Sequence, residues 1–330
     1  METNMPGLTR PLTDRSARIF CTTLAAVFAA ASAALADPIS ELASFSVFEK
    51  VDPAQLTGDA KPVRGPAMST PRHLSVQTAW VTPGTPAQQA EAMRRWNPAS
   101  HSELKILLHT NGSNFSRLAD APNSAAVQAL AMATLSKSTD LQISRDEAAK
   151  LPGGTGGGMS GPVASFWSSV LSARAAAGPF GQPPYDHTGQ SIRAGDEING
   201  LLRGQPKIQK QFSGLIGGKG DQYWELLEVE SKGVLTLGAS YSRQASGGSY
   251  QFADVLYYAS GGYYAAVTLY QMWPIEVGGK PSTLIWRGDM ISSASVGDLR
   301  GVERMGSETS MMRNISRAVR LFRRDTGGSR

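Results

Sequence analysis

The sequence predicts an α+β protein in which an antiparallel meander packs on a long C-terminal helix, with a loop-rich helical insertion ahead of the meander. Three observations predict it. From residue 221 onward, strand-like runs follow one another across short glycine-bearing turns, the pattern of consecutive antiparallel strands. Residues 303–324 then place Met305, Glu308, Met312, Ile315, Val319 and Phe322 on one helical stripe, and Arg313, Arg317, Arg320 and Arg324 on another. Between 110 and 220, helix-like pieces such as "SAAVQALAMATL" and "PVASFWSSVLSARAAA" alternate with "LPGGTGGGMSG" and "AGPFGQPPYDHTG", where glycine and proline break regular structure. That region reads as an elaboration and not as a separate core.

In chain order, the first element is a leader. Arg10, Arg15 and Arg18 precede the apolar run 19–33, and Ala34-Leu35-Ala36 offers a small-x-small exit before Asp37-Pro38, the parts of a secretory signal peptide. The run is shorter than the roughly 20 residues a membrane-spanning helix needs. Export to a periplasm or to the outside is therefore expected, with residues 1–36 removed and 37–330 forming a single domain. No adjacent arginine pair precedes the run, which favours the general route over the twin-arginine one. The single cysteine, Cys21, leaves with the leader, so the mature chain is expected to hold no disulfide and no thiolate metal site. The net charge of +5 falls by one on cleavage, too weak a balance to predict nucleic-acid binding. No later stretch approaches membrane-spanning length, so no stable membrane insertion is expected after cleavage.

Next, "LASFSVFEKV" alternates loosely as a strand would, and "HLSVQTAWV" (73–81) does so clearly, with Leu74, Val76, Thr78 and Trp80 on one face. Thr85 caps a helix whose first turn holds Pro86 and whose stripe is Ala87, Ala90, Met93 and Trp96. "WNPASH" ends it, because Pro98 pushes the residue before it out of helical geometry. "ELKILLHT" follows as a short strand. After the insertion come "QYWELLEVE", a turn at Ser231-Lys232-Gly233, "VLTLGASYSR", a second turn at "QASGGS", and "YQFADVLYYA". Ser260-Gly261-Gly262 joins the last of these to "GYYAAVTLYQMW", and "EVGGKPS" leads into "TLIWRGDMIS".

This order resembles the START-like, or helix-grip, superfamily, over about residues 70–109 and 221–324. The phrase "GGKPSTLIWRGD" before an amphipathic helix looks like that family's last strand and grip. The resemblance implies a curved antiparallel sheet wrapped on the last helix, with a cavity between them for a lipid or another apolar molecule. It carries over no catalytic residue, and the long insertion departs from the compact family pattern.

Within "YYASGGYYAAVTLYQMWP" (257–274), the residues from Tyr263 to Trp273 are mostly apolar at both odd and even positions. A strand with one wet face alternates instead, so each side of this one is expected to be covered, one by the C-terminal helix and the other by the insertion. The tyrosines suit a cavity wall, with ring apolar and hydroxyl available, and equally suit a packed core. The candidate ligand contacts are Tyr258, Tyr264, Tyr270, Trp286, Arg287 and Met312.

Other chemistries find little support. His73, His101, His109 and His187 form no short metal-binding pair and read as scattered surface or rim residues. "GGGMSGP" around Ser160 lacks the second glycine of a nucleophile elbow, and the same glycines lack the lysine of a phosphate cradle. Glu228 and Glu230 share one face of the first meander strand, as a solvated face would. Arg287 and Asp289 share a face with Ile285 and Ile291. If that face is covered they must pair or bind something polar, because an unpaired buried charge is costly. Asp186-His187, in a Pro-Pro-Tyr loop, reads either as a surface pair or as a dyad. The arginine stripe of the last helix reads as a solvated face or as an electrostatic contact with an anionic membrane surface. No cofactor is expected. The function expected is non-catalytic binding of an apolar or amphipathic small molecule such as a lipid, with two alternatives: an enzyme using the same cavity, or an envelope interaction module without a ligand.

Overall fold

The computed structural model describes residues 37–327 except 157, 298 and 300, so the expected leader, residues 1–36, lies outside the described residues. The chain runs α1 (Pro38–Phe45), β1 (Val63–Arg64), β2 (His73–Pro83), α2 (Pro86–Arg95) and β3 (Ile106–Asn111). The insertion then supplies α3 (Ala125–Leu135), α4 (Arg145–Ala148), α5 (Gly161–Ala177), the hairpin β4 (Tyr185–His187) and β5 (Gln190–Ile192), α6 (Ala194–Arg203) and α7 (Pro206–Gln211). The meander follows as β6 (Asp221–Val229), β7 (Lys232–Gln244), β8 (Tyr250–Ala259), β9 (Ala265–Val277) and β10 (Lys280–Ser292), and the chain closes with α8 (Ala294–Gly297) and α9 (Gly301–Asp325).

The main sheet has eight strands in the order β1-β2-β10-β9-β8-β7-β6-β3, and every neighbouring pair is antiparallel. The meander forms its middle. The earlier strands extend both ends, β2 against β10 along its whole length and β3 against β6. Local chemistry sets the turns. Gly278 and Gly279, at φ 59° and 72°, make a two-residue hairpin with positive φ at both positions, the geometry that matches strand twist. Glu230 and Ser231 occupy the corresponding turn between β6 and β7 at φ 49° and 64°. Thr85 accepts from the Gln88 backbone N–H while the Gln88 side chain accepts from Thr85, a complete capping box for α2.

Both faces of the sheet are covered. On one face Val76, Trp80, Phe252, Met272 and Ile285 meet Ile315 and Val319 of α9 and Ala90 of α2. On the other, Leu235, Val255, Leu269, Leu284 and Trp286 share a core with Phe45 of α1 and with Val127, Trp167, Ile198 and Phe212 of the insertion. The insertion is therefore half of the hydrophobic core. Burial of each large side chain there contributes about 1.5–3 kcal/mol.

Two ion pairs, each with one buried member, tie the inserted helices down. Arg174 of α5, only 1% exposed, bonds Glu147 at 2.6 and 2.9 Å and Gln182 at 3.1 Å. Glu197 of α6 accepts from Arg72 at 2.7 and 3.0 Å and from Ser292 at 2.5 Å, linking α6 to the ends of β2 and β10. Burial alone would raise the Glu197 carboxyl, but its hydrogen bonds to His73, Arg72 and Ser292 outweigh that and hold it near 2.

Several local expectations need correction. Residues 38–45 are helical, because Asp37 accepts from the Ser40 N–H at 2.9 Å, Pro38 starts the first turn, and Leu42 and Phe45, three apart, enter the core. Glu230 lies in a turn, so it shares no strand face with Glu228, which pairs with Lys105 at 2.7 Å. The α9 stripe enters the buried core of the sheet face only from Ile315 onward, with Met312 at its edge. Met305 stays 53% exposed, and Glu308 pairs with Arg64 and Arg304.

Candidate functional site

Between the sheet and the two helices on its first face lies a cavity of about 400 Å³. Trp80, Met93, Trp96, Phe252, Ile315 and Phe322 give it apolar walls, while its floor is polar and carries His109, Tyr223, Glu225, Asp254, Thr268 and Arg287. The volume falls in the range of small-molecule sites, which are mostly apolar with a few placed polar groups.

The floor is assembled by strand register. Asp254 of β8 sits opposite Ser240 of β7 and opposite Thr268 of β9, and Thr268 sits opposite Asp289 of β10. A polar row thus crosses the middle strands at one level. Thr268 donates to Asp289 at 3.1 Å, and Asp289 binds Arg287 through two hydrogen bonds of 2.6 and 2.7 Å. The Arg287 guanidinium lies 5.4 Å from the centre of the Tyr270 ring. On the other flank, His109 Nδ1 is 2.8 Å from Glu225 Oε1. The Tyr223 hydroxyl donates to Asp254 Oδ1 at 2.6 Å. Tyr223 reaches across because its register partner is Gly238, where any Cβ would collide with the tyrosine ring.

Asp254, Tyr270 and Arg287 keep some accessible surface because they line the cavity, but each lies deep beneath protein atoms, so desolvation governs their titration. Desolvation lifts the Asp254 carboxyl to about 6, and the nearby Glu225 charge adds to the lift. The Tyr223 hydrogen bond and the Arg287 and His109 charges oppose it. Burial pushes Tyr270 to about 12 and Tyr223 well above its ordinary value. For His109, burial favours the neutral ring, but the Glu225 hydrogen bond and charge prevail and its pKa lies above the ordinary 6.5. Arg287 is opposed by burial and held firmly charged by Asp289. The floor can therefore hold a polar group, and it can also take up or release a proton near neutrality.

Of the residues expected to contact a ligand, Tyr270 and Arg287 line this cavity together. The other four do not. Trp286 neighbours Arg287 on one strand, so the two side chains point to opposite faces, and Trp286 lies in the insertion-side core, 4.9 Å from Phe45 and donating to Gln77 at 3.1 Å. Tyr258 is turned away by a bulge. Leu237 pairs with Tyr258 while Gly238 pairs with Leu256, so Tyr257 is the extra residue and both tyrosines enter the insertion-side core. Arg174 sits 4.1 Å from the Tyr258 ring centre. Tyr264 lies beyond the Gly261-Gly262 turn, against Tyr185 and Ile192 of the small hairpin, with its hydroxyl 2.9 Å from His187 Nδ1. Met312 packs at the edge of the apolar wall and opens onto a different groove, lined by residues 57–62 and by Arg313, Arg320 and Arg323.

The histidines separate. His73, 3% exposed, is buried beside Glu197, and His101, 7% exposed, lies 2.6 Å from Asp325, so neither is a surface residue as expected. Asp186 pairs with Arg145 at 2.7 Å while His187 bonds Tyr264, so the two form no dyad. Among the described residues no group of three histidine, cysteine, aspartate or glutamate side chains could hold a metal ion, and no helix is long and apolar enough to cross a membrane.

Sequence reasoning missed Asp254, Tyr223 and Glu225, and read His109 as a surface or rim residue. One signal was available. Asp254 is the lone charge in the otherwise apolar or neutral run "YQFADVLYYA".

No protein-family model matches this chain, and no curated protein matches it. Among solved structures, a START superfamily protein from Mycobacterium smegmatis matches at 16% identity with a TM-score of 0.21, over 30% of this chain and 63% of that one. The match thus spans less than two thirds of that protein's length. The resemblance to the START superfamily is a partial one, and the sheet, helix and cavity described above stand on this chain's own geometry.

Proposed function

We propose that this protein binds an amphipathic small molecule between its sheet and α9, with the apolar part against Trp80, Phe252, Ile315 and Phe322 and the polar end on the floor. The observation that carries this reading is the cavity of about 400 Å³ that combines apolar walls with a polar floor. Capture would come from apolar burial, worth about 25 cal/mol for each Å² removed from water, and the floor would set orientation. A core whose only task was packing gains nothing from the Asp254 carboxyl held at this depth. The test is native mass spectrometry of the purified protein, with organic extraction of whatever accompanies it, repeated on Ala318→Trp. Ala318 lines the cavity from α9, and an indole there fills the space. A co-purifying amphiphile that disappears in the variant supports the reading. A protein that carries none and takes up no added amphiphile defeats it.

One observation favours a second reading. The cavity holds a carboxyl group titrating at about 6 and a histidine paired with a glutamate, the kind of groups acid–base chemistry uses. On that reading the protein is an enzyme acting on the same class of ligand. Extracted ligand that is chemically unchanged after prolonged incubation with the protein removes it.

We also propose export, on the basic flank, the apolar run 19–33 and the exit at Ala36. Amino-terminal sequencing of the protein recovered outside the cytoplasm should begin at Asp37.

A further inference from the structure

The charges of the cavity floor do not balance, and the imbalance sits at one atom. Arg287 is engaged by Asp289 through two hydrogen bonds, His109 by Glu225 at 2.8 Å, and Arg94, at the rim, by Glu91 at 3.2 Å and by Ser242. Each cation lining the cavity therefore already has an acidic partner. Asp254 has no cation within ion-pairing distance among the described residues. Among the described residues its one hydrogen bond comes from the Tyr223 hydroxyl to Oδ1, and Oδ2 accepts none. The hydroxyls on either side of it in the register, Ser240 and Thr268, also line the cavity. Thr268 spends its proton on Asp289, which leaves its oxygen free to accept.

We propose that the polar end this cavity takes is a protonated amine, seated on Asp254 Oδ2, with the hydroxyl oxygen of a register neighbour, Ser240 or Thr268, as a further acceptor. The inference rests on the reading of the cavity as an amphiphile site. An ammonium group carries N–H donors and no acceptor, which matches a row whose side-chain oxygens can all accept. It also supplies the positive charge that the floor lacks. An acidic head group meets the reverse situation. It faces Asp254, Glu225 and Asp289 while Arg287 and His109 are already paired, so the charge balance disfavours it. The charged and titratable groups facing Asp254 are Tyr223 and Glu225 of β6, His109 of β3, Tyr270 of β9, Arg287 and Asp289 of β10, and Arg94 of α2. A docked cation favours the ionised carboxylate, so below neutrality amine binding releases a proton from Asp254.

The test is displacement of Nile red, a neutral dye, by decylamine, decanol and decanoate, on wild-type protein and on Asp254→Asn. At about pH 7.5 decylamine should displace the dye roughly tenfold more effectively than decanol, and decanoate least of all, since a charge-assisted hydrogen bond in a cavity is worth at least that factor. The amine advantage should collapse to about twofold or less in Asp254→Asn. Should that variant fail to fold, wild-type protein at about pH 5 serves instead, where the protonated carboxyl should erase the same advantage. Decanoate displacing as well as decylamine, or an amine advantage that persists in Asp254→Asn and at low pH, overturns the inference. Equal displacement by all three also overturns it and leaves the amphiphile reading standing. Failure of the dye and of all three competitors to bind defeats the amphiphile reading itself.

Discussion

Asp254→Asn removes a negative charge from the cavity floor and keeps an oxygen where Tyr223 donates its proton. In the folded protein the Asp254 carboxyl titrates at about 6, against an ordinary value of 3.8. The folded state therefore holds this proton more tightly than the unfolded chain does. Ionisation costs stability: nothing is lost below the unfolded value, the loss grows as pH rises between the two, and it is complete above the folded value. A shift of about two units at about 1.4 kcal/mol each is about 3 kcal/mol. The asparagine carries no such penalty, but it replaces a carboxyl oxygen with an amide NH2 group that the floor must satisfy, which returns about 1 kcal/mol. The variant should thus be about 1–2 kcal/mol more stable than wild type at about pH 8, and its advantage should vanish near pH 4. Urea unfolding at both pH values, extrapolated linearly, measures the difference. A variant less stable than wild type at the higher pH, or a difference that ignores pH, refutes the reasoning. A carboxyl retained at a net cost to stability is what a binding or catalytic site looks like, and what a purely structural core avoids.

The remaining expectations concern the same floor. Arg287→Ala leaves Asp289, 5% exposed, without its partner and should cost about 3–5 kcal/mol in chemical denaturation. The double variant Arg287→Ala/Asp289→Ala should cost less than the single one, and equal costs would show that the two charges do not depend on each other. Gly238→Ala places a methyl group inside the Tyr223 ring and should destabilise by about 1–3 kcal/mol, a loss absent if the ring moves aside freely. His109 should titrate above 6.5 by NMR and drop on Glu225→Gln. The stability from that pair is present below the ordinary histidine value and fades as pH rises through the raised one.

Much of the fold was legible because its determinants are local. The Thr85-Pro86 start of α2, the Gly278-Gly279 hairpin, the succession of meander strands and the amphipathic last helix each follow from residues within a few positions of one another. The doubly apolar β9 announced cover on both faces, and the insertion with α1 provides it on one side and α2 with α9 on the other. Asp37-Pro38 carried a start signal for α1 as well, and the loose alternation that follows hid it. The site was much less legible. Tyr270 and Arg287 could be chosen as polar groups on largely apolar strands, but that they lie opposite each other is set by the β9–β10 register, and Trp286, next in sequence to Arg287, had to point the other way. No residue type marks the bulge at Tyr257 that turns Tyr258 from one face to the other. His109, Tyr223 and Asp254 are separated by long stretches of chain and become neighbours through the β3–β6, β6–β7 and β7–β8 registers. By itself the sequence determined which segments are strands and helices and which of their faces seek cover, because propensity and periodicity act over a turn or a pleat. The tertiary structure alone decided which polar side chains meet inside the cavity, because their pairing depends on strand register, and register is fixed by how all the strands pack together.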